Sequence, residues 1–108
     1  MPTSAFLGEW EQLVLLAILR QRDAAYVIGL RTHLATVMHR MPSRGALYRT
    51  LDRLEEKGFV RAVEEPPSVA RGGHPRRRFV VTRPGIAALK ASRNALLHLW
   101  KGVEEVLE

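Results

Sequence analysis

The 108-residue chain has no cysteine. That excludes a disulfide framework, a thiolate zinc site and a cysteine nucleophile, and it is compatible with a reducing compartment. Long apolar runs are missing too. The longest, Leu13 to Leu19, falls far short of the roughly 20 residues needed to span a bilayer. No basic segment precedes the first apolar run, so no secretion signal is predicted, no membrane partner is expected, and the expected location is cytoplasmic. The four histidines, His33, His39, His74 and His98, share no metal-ligand spacing and read as surface or boundary residues. Gly72 and Gly73 do not open a helix, which rules them out as a phosphate-binding loop. No catalytic constellation is visible and no metal or cofactor is expected, so an enzyme is the class least supported.

What the chain does have is positive charge. Seventeen Lys and Arg stand against 11 Asp and Glu, a net +6, and the pI is about 10.8. Such a balance favours a polyanionic partner, although it says nothing of fold. The length suits one domain with one modest core, and 46% apolar residues are ordinary for a folded soluble protein.

The most informative stretch is Met41 to Val60, MPSRGALYRTLDRLEEKGFV. Ser43 is a good N-cap, since its hydroxyl can accept from an unpaired N–H of the first turn. Leu47, Leu51 and Leu54 follow as one stripe with helical period. Lys57 and Gly58 close the helix, a cation at the negative end of the dipole and then a residue free to turn left-handed. Gly45, Tyr48, Arg49, Asp52 and Glu56 lie away from the stripe, with Arg44 and Arg53 on its flanks. A helix that buries one side and offers cations, a phenol and a close backbone approach on the other suits nucleic acid. An amphipathic helix with merely solvated charges would have the same pattern, so the rest of the chain has to decide.

Leu7 to Arg20 reads as a first helix whose middle, LVLLAIL, is apolar almost all round. It should be buried on more than one side, part of it against another subunit. After a short link at Asp23, Ala24 and Ala25, a second helix is predicted over Tyr26 to His39, and Arg40, Met41 and Pro42 break the chain before the third. Two helices so closely joined, the second basic outside, have the layout of a helix-turn-helix. Phe59 to Glu65 and Arg76 to Thr82 then read as strands around PPSVARGGHP, a loop or hairpin tip. A hairpin is marginal alone, so it must lie on the helices, which completes a winged helix. Between Ala70 and Arg83 there are five arginines, Arg71, Arg76, Arg77, Arg78 and Arg83, and no acid. Beside Gly72 and Gly73 they can enter a minor groove or clamp phosphates.

A last helix is predicted from Thr82 as N-cap, with Pro84 in its first turn. Ile86, Leu89, Arg93, Leu96, Trp100, Val103 and Leu107 form a heptad seam with one polar interruption. About 24 residues give roughly 36 Å of helix, longer than so small a body can cover, and this predicts a dimerisation helix. The expected division is residues 1–83 as the DNA-binding unit and 84–108 as the dimerisation helix, within one compact body. Trp10 and Trp100 are the only tryptophans, one on each helix assigned to subunit contact. They read as interface anchors or as rings that could stack on a flat apolar or aromatic effector.

By these blocks the chain resembles the PadR family of bacterial transcriptional regulators over Leu7 to Leu107. The resemblance rests on LGEWEQLVLLAIL at the start, SRGALYRTLDRLEEKGFV in the recognition helix, RGGHPRR in the wing and TRPGIAAL opening the last helix. It implies a winged-helix homodimer on a palindromic operator, usually a repressor, often of its own gene and of neighbouring transport or stress genes. The short branch of the family has one C-terminal dimerisation helix, as here. Two departures stand out: Tyr26-Val27 replaces the family's Tyr-Gly pair, and Arg78-Phe79 replaces two wing tyrosines. The second adds a cation near the DNA.

The fold expected is mainly α with a small β-hairpin. The partners expected are double-stranded DNA and a second copy of the chain. Ser43, Arg44, Gly45, Tyr48, Arg49 and Arg53 are assigned to the DNA on the third helix, and Arg71, Gly72, Gly73, Arg76, Arg77 and Arg78 on the wing. Trp10, Leu13, Leu89, Leu96, Trp100, Val103 and Leu107 are assigned to the dimer. A winged helix that docks an acidic protein, and a ligand sensor with a weak DNA face, remain the alternatives.

Overall fold

The computed structural model describes residues 6–68, 70 and 72–108. Among the described residues there are four α-helices, α1 (Glu9–Gln21), α2 (Val27–Met38), α3 (Arg44–Glu56) and α4 (Arg83–Trp100), and a two-stranded sheet of β1 (Val60–Glu65) and β2 (Arg76–Val81). Short 3₁₀ turns lie at Arg22–Ala24 and Glu104–Leu107.

Local chemistry accounts for the boundaries. Glu11 Oε1 accepts from Gly8 N at 3.3 Å at the start of α1, and Ser43 Oγ accepts from Ala46 N at 3.0 Å at the start of α3. α2 ends on His39 in the left-handed conformation, with φ 59°. Arg31 Nε donates to Pro42 O at 3.0 Å and so holds the turn between α2 and α3. Gly58, at φ 79°, reverses the chain out of α3 into β1.

The core is where the helical stripes converge. Val14, Leu15 and Ile18 of α1 meet Leu30 and Leu34 of α2 and the predicted leucines Leu47, Leu51 and Leu54 of α3, all buried. Phe59, Val60 and Phe79 bring the hairpin into the same core. The strands pair antiparallel from Val60 opposite Val81 to Glu65 opposite Arg76. β2 also gains a partner on its other edge, since Phe79 N donates to Ala25 O at 3.0 Å. That bond and the buried Phe79 hold a hairpin that would be marginal alone.

α4 is joined to the body at its first turns. Thr82 Oγ1 accepts from Gly85 N at 3.2 Å and donates to Gly58 O at 2.5 Å, while Thr82 N donates to Phe59 O at 3.0 Å. Gly85, Ala88, Leu89 and Ser92 are buried, and Ser92 Oγ accepts from Leu7 N at 2.9 Å. Beyond Ser92 the helix leaves the body: Leu96 is 50% exposed and Leu99 74%. The radius of gyration, 15.8 Å, accordingly exceeds the roughly 13 Å of a compact domain of this length.

The helix is shorter than the seam predicts. It has 18 residues and stops at Trp100. Gly102 then takes φ 89°, and the chain continues as the 3₁₀ turn. Val103 and Leu107 therefore do not extend the α4 seam; a left-handed glycine ends the α-helical ladder before either is reached.

Candidate nucleic-acid interface

Each side of α3 has a different neighbour. Leu47, Leu51 and Leu54 face the core. Thr50 is buried on the α1 side, where Trp10 Nε1 donates to its hydroxyl at 2.6 Å. Arg53 turns the same way, its NH2 donating to Thr50 Oγ1 at 3.3 Å. On the opposite side Arg44 and Tyr48 border a cleft of about 920 Å³ that is also lined by Tyr26 to Gly29 and by His74, Pro75, Arg76 and Arg77 of the wing. Ser43, Gly45 and Arg49 are exposed; none of them lines this cleft. The Arg49 guanidinium folds over Gly45, where an added Cβ would lie 3.2 Å from its NH1.

The residues assigned to the DNA are thus divided. Arg44, Tyr48, Arg76 and Arg77 come together around one cleft, Arg49 lies on the open edge of α3, and Arg53 belongs to the α1 side. Gly72 and Gly73 form the wing tip, at φ 68° and 81°, and Gly73 N closes it on Ser68 O at 2.8 Å. Arg71 lies outside the described residues.

The described arginines of β2, Arg76, Arg77 and Arg78, are paired within the protein, which the acid-free run between residues 70 and 83 did not suggest. Arg76 and Arg78 both donate to Glu65, at 3.2 and 3.3 Å. Arg77 donates to Glu55 of α3 at 3.0 Å and so ties the wing to the third helix. Tyr26 donates its hydroxyl to Glu65 at 2.8 Å, and the Arg76 guanidinium stacks on its ring at 3.8 Å. That hydrogen bond from Tyr26 is the main reason the Glu65 carboxyl is held below its ordinary range; bonds from Arg76 and Arg78 add to it against some desolvation. The same bond pushes the Tyr26 phenol up. Tyr26, Glu55 and Glu65 were missed by the sequence reading. Only Glu65 had a signal, the strand register that puts it opposite Arg76; Tyr26 and Glu55 lie outside the strands and had none.

The residues assigned to subunit contact fall into two groups. Leu89 is buried in the chain's own core, and Trp10 and Leu13 pack half-buried against it. Leu96, Trp100, Val103 and Leu107 are exposed. Trp100 borders an apolar groove of about 590 Å³ between α1 and α4, with Leu16, Leu19, Ile86 and Leu97 among its walls. Trp10 instead lines a separate cleft with Leu13, Met38, Pro42 and Ser43. Within one chain the two tryptophans do not share a cavity. Among the described residues no group of three or more His, Asp or Glu could hold a metal ion, and no helix is long and apolar enough to cross a membrane.

Two helices in a tight turn, a hairpin packed beside them and a basic cleft between hairpin and third helix define a winged helix-turn-helix of the DNA-binding kind. The chain belongs to the transcriptional regulator PadR-like family, whose profile matches residues 15–91. It is a DNA-binding transcriptional regulator and not an enzyme. Solved structures agree on the fold. A PadR-like transcription factor from Bacteroides fragilis superposes with a TM-score of 0.71 at 18% identity, over 90% of this chain and 88% of that one. A PadR family transcriptional regulator from Eggerthella lenta gives 0.68 at 27% identity, over 90% and 82%. The complex structure of hsRosR-S4 gives 0.69 at 19%, over 94% and 86%. No curated protein matches the chain.

Proposed function

We propose that the protein is a homodimeric repressor of a palindromic operator. α3 enters the major groove by its exposed edge, with Ser43, Arg44, Gly45, Tyr48 and Arg49 toward bases and phosphates, while the wing lies on the flanking backbone. The observation that carries this reading is the cleft in which Arg44 and Tyr48 of α3 stand across from Arg76 and Arg77 of the wing. Phosphate contacts at such a place fix register, and the side chains at the α3 rim then read base edges. Dimerisation is supported by the exposed apolar end of α4, Leu96, Leu97, Leu99 and Trp100, on a helix that leaves its own body. Repression follows the habit of the family.

Footprinting on DNA upstream of the protein's own gene, followed by transcription in vitro from that promoter, tests the proposal. Two equivalent protected patches are expected about 10–10.5 bp apart, or a multiple of that spacing, with transcript falling as protein is added. A single asymmetric patch, or equal affinity for a scrambled duplex, would overturn it.

A further inference from the structure

Arg76, Arg77 and Arg78 of the wing are not loose cations. Glu65 faces Arg76 in register, and Arg78 follows two residues along the same strand face. One carboxylate serves both, Oε1 accepting from Arg76 Nε at 3.2 Å and Oε2 from Arg78 Nε at 3.3 Å. Tyr26, at the start of α2, reaches both oxygens of that carboxylate at 2.8 Å and offers its ring to Arg76. Arg76 is therefore held at one edge by an anion and on one face by a π-system. A guanidinium has five N–H donors. A bond at Nε orients its plane while leaving donors for a second anion.

We infer that Glu65 sets the specificity of the wing, by holding Arg76 and Arg78 in one arrangement that accepts backbone phosphates only at matching positions. The inference rests on the reading of these arginines as DNA contacts. A free arginine sweeps an arc and finds a phosphate on any duplex. A held pair, with one of its two charges offset by Glu65, gains only where the shape of the DNA brings phosphates to it. Glu65 thus lowers affinity for arbitrary DNA more than affinity for the operator. Glu64 is the natural control, since it carries the same charge one residue away, is exposed and stands opposite Arg77.

The test compares Glu65→Gln, Glu64→Gln, Tyr26→Phe and the double variant Arg76→Ala/Arg78→Ala by fluorescence anisotropy. Each is titrated with the footprinted operator duplex and a scrambled duplex, from 50 to 200 mM salt. Both glutamine variants add one positive charge, so their difference reports the pairing alone. Glu65→Gln should engage one to two more phosphates on scrambled DNA than Glu64→Gln, an added salt-dependent loss of about 3- to 12-fold across that range. Its ratio of operator to scrambled affinity should fall. Tyr26→Phe loosens the same carboxylate without a charge change and should lower the ratio less; it also keeps the test open should Glu65→Gln fold poorly. Equal behaviour of the two glutamine variants, or an unchanged ratio, overturns the inference. Unchanged affinity in the double variant overturns instead the reading of the wing as a DNA contact.

Discussion

Replacing Gly85 with alanine should destabilise the protein and displace α4. An added Cβ would lie 2.3 Å from the Phe59 carbonyl oxygen and 2.8 Å from Val81 Cγ1. Real Cβ contacts essentially never fall below 3.0 Å, so one side must retreat by at least ~0.7 Å. The oxygen cannot simply swing aside, because it accepts from Thr82 N, and Thr82 also bonds Gly58 O. Overpacking of this kind costs roughly 1–3 kcal/mol, and weakening a strained hydrogen bond adds about 0.5–1.5 kcal/mol. Alanine returns up to about 1 kcal/mol of helix propensity. The net expectation is a loss of about 1–3 kcal/mol, and at about 4–8 °C per kcal/mol for a domain near this size the melting temperature should fall by about 4–24 °C. Urea denaturation of Gly85→Ala should show a lower midpoint at unchanged slope. On the proposed dimeric reading, operator affinity should fall as well, since α4 would set the spacing of two half-sites from this point. A variant as stable as the parent would refute the close approach of α4 to Phe59.

Three further outcomes are expected. Arg49→Ala leaves stability unchanged because the residue is exposed, but it reduces discrimination between operator and scrambled duplex by about 1–3 kcal/mol if the side chain forks onto a base; identical titrations would remove Arg49 from the reading edge. Leu96→Asp should keep the fold, because this half-exposed residue lies beyond the chain's core, yet light scattering should give 12.2 kDa for the variant and twice that for the parent as the proposed dimer; a dimer of the variant would place the interface elsewhere. Burial pushes the Glu11 carboxyl up, but the hydrogen bonds from Lys57 and Gly8 and the charges of Lys57 and Arg53 outweigh it, so its net shift is downward. A depressed carboxylate stabilises above its ordinary value of 4.5 and loses that contribution as pH falls through the lower folded value. The urea midpoints of the parent and Glu11→Gln should therefore converge as pH drops below that range, and a gap constant with pH would argue against the pair.

Much of the interface could be read along the chain. The Ser43 cap, the three leucines of α3 and the reversal at Gly58 depend on residues within a turn or two, and the structure has each of them. The end of α4 could have been read in the same way. Lys101 and Gly102 repeat the Lys57–Gly58 ending of α3, but the apolar spacing of Val103 and Leu107 outweighed it. Spacing alone cannot tell a continuing helix from apolar residues that follow one. Gly85 looked like an ordinary residue of a first helical turn, because its requirement comes from a carbonyl 26 positions earlier.

The sequence by itself determined the winged helix, its family and the strip of α3 turned away from the core. The fold and the strip follow from local period, caps and composition, which act over short stretches; the family follows from the resemblance of whole blocks of sequence. Only the tertiary structure decided where the charges point. Arg77 finds Glu55 at a separation of 22 residues, Arg78 finds Glu65 at 13, and Trp10 finds Thr50 at 40. Such pairs depend on strand register and on how helices seat against one another, so an acid-free run of arginines can still fold onto carboxylates. The same packing turned Arg53 toward α1 and left Arg44 and Tyr48 facing the wing.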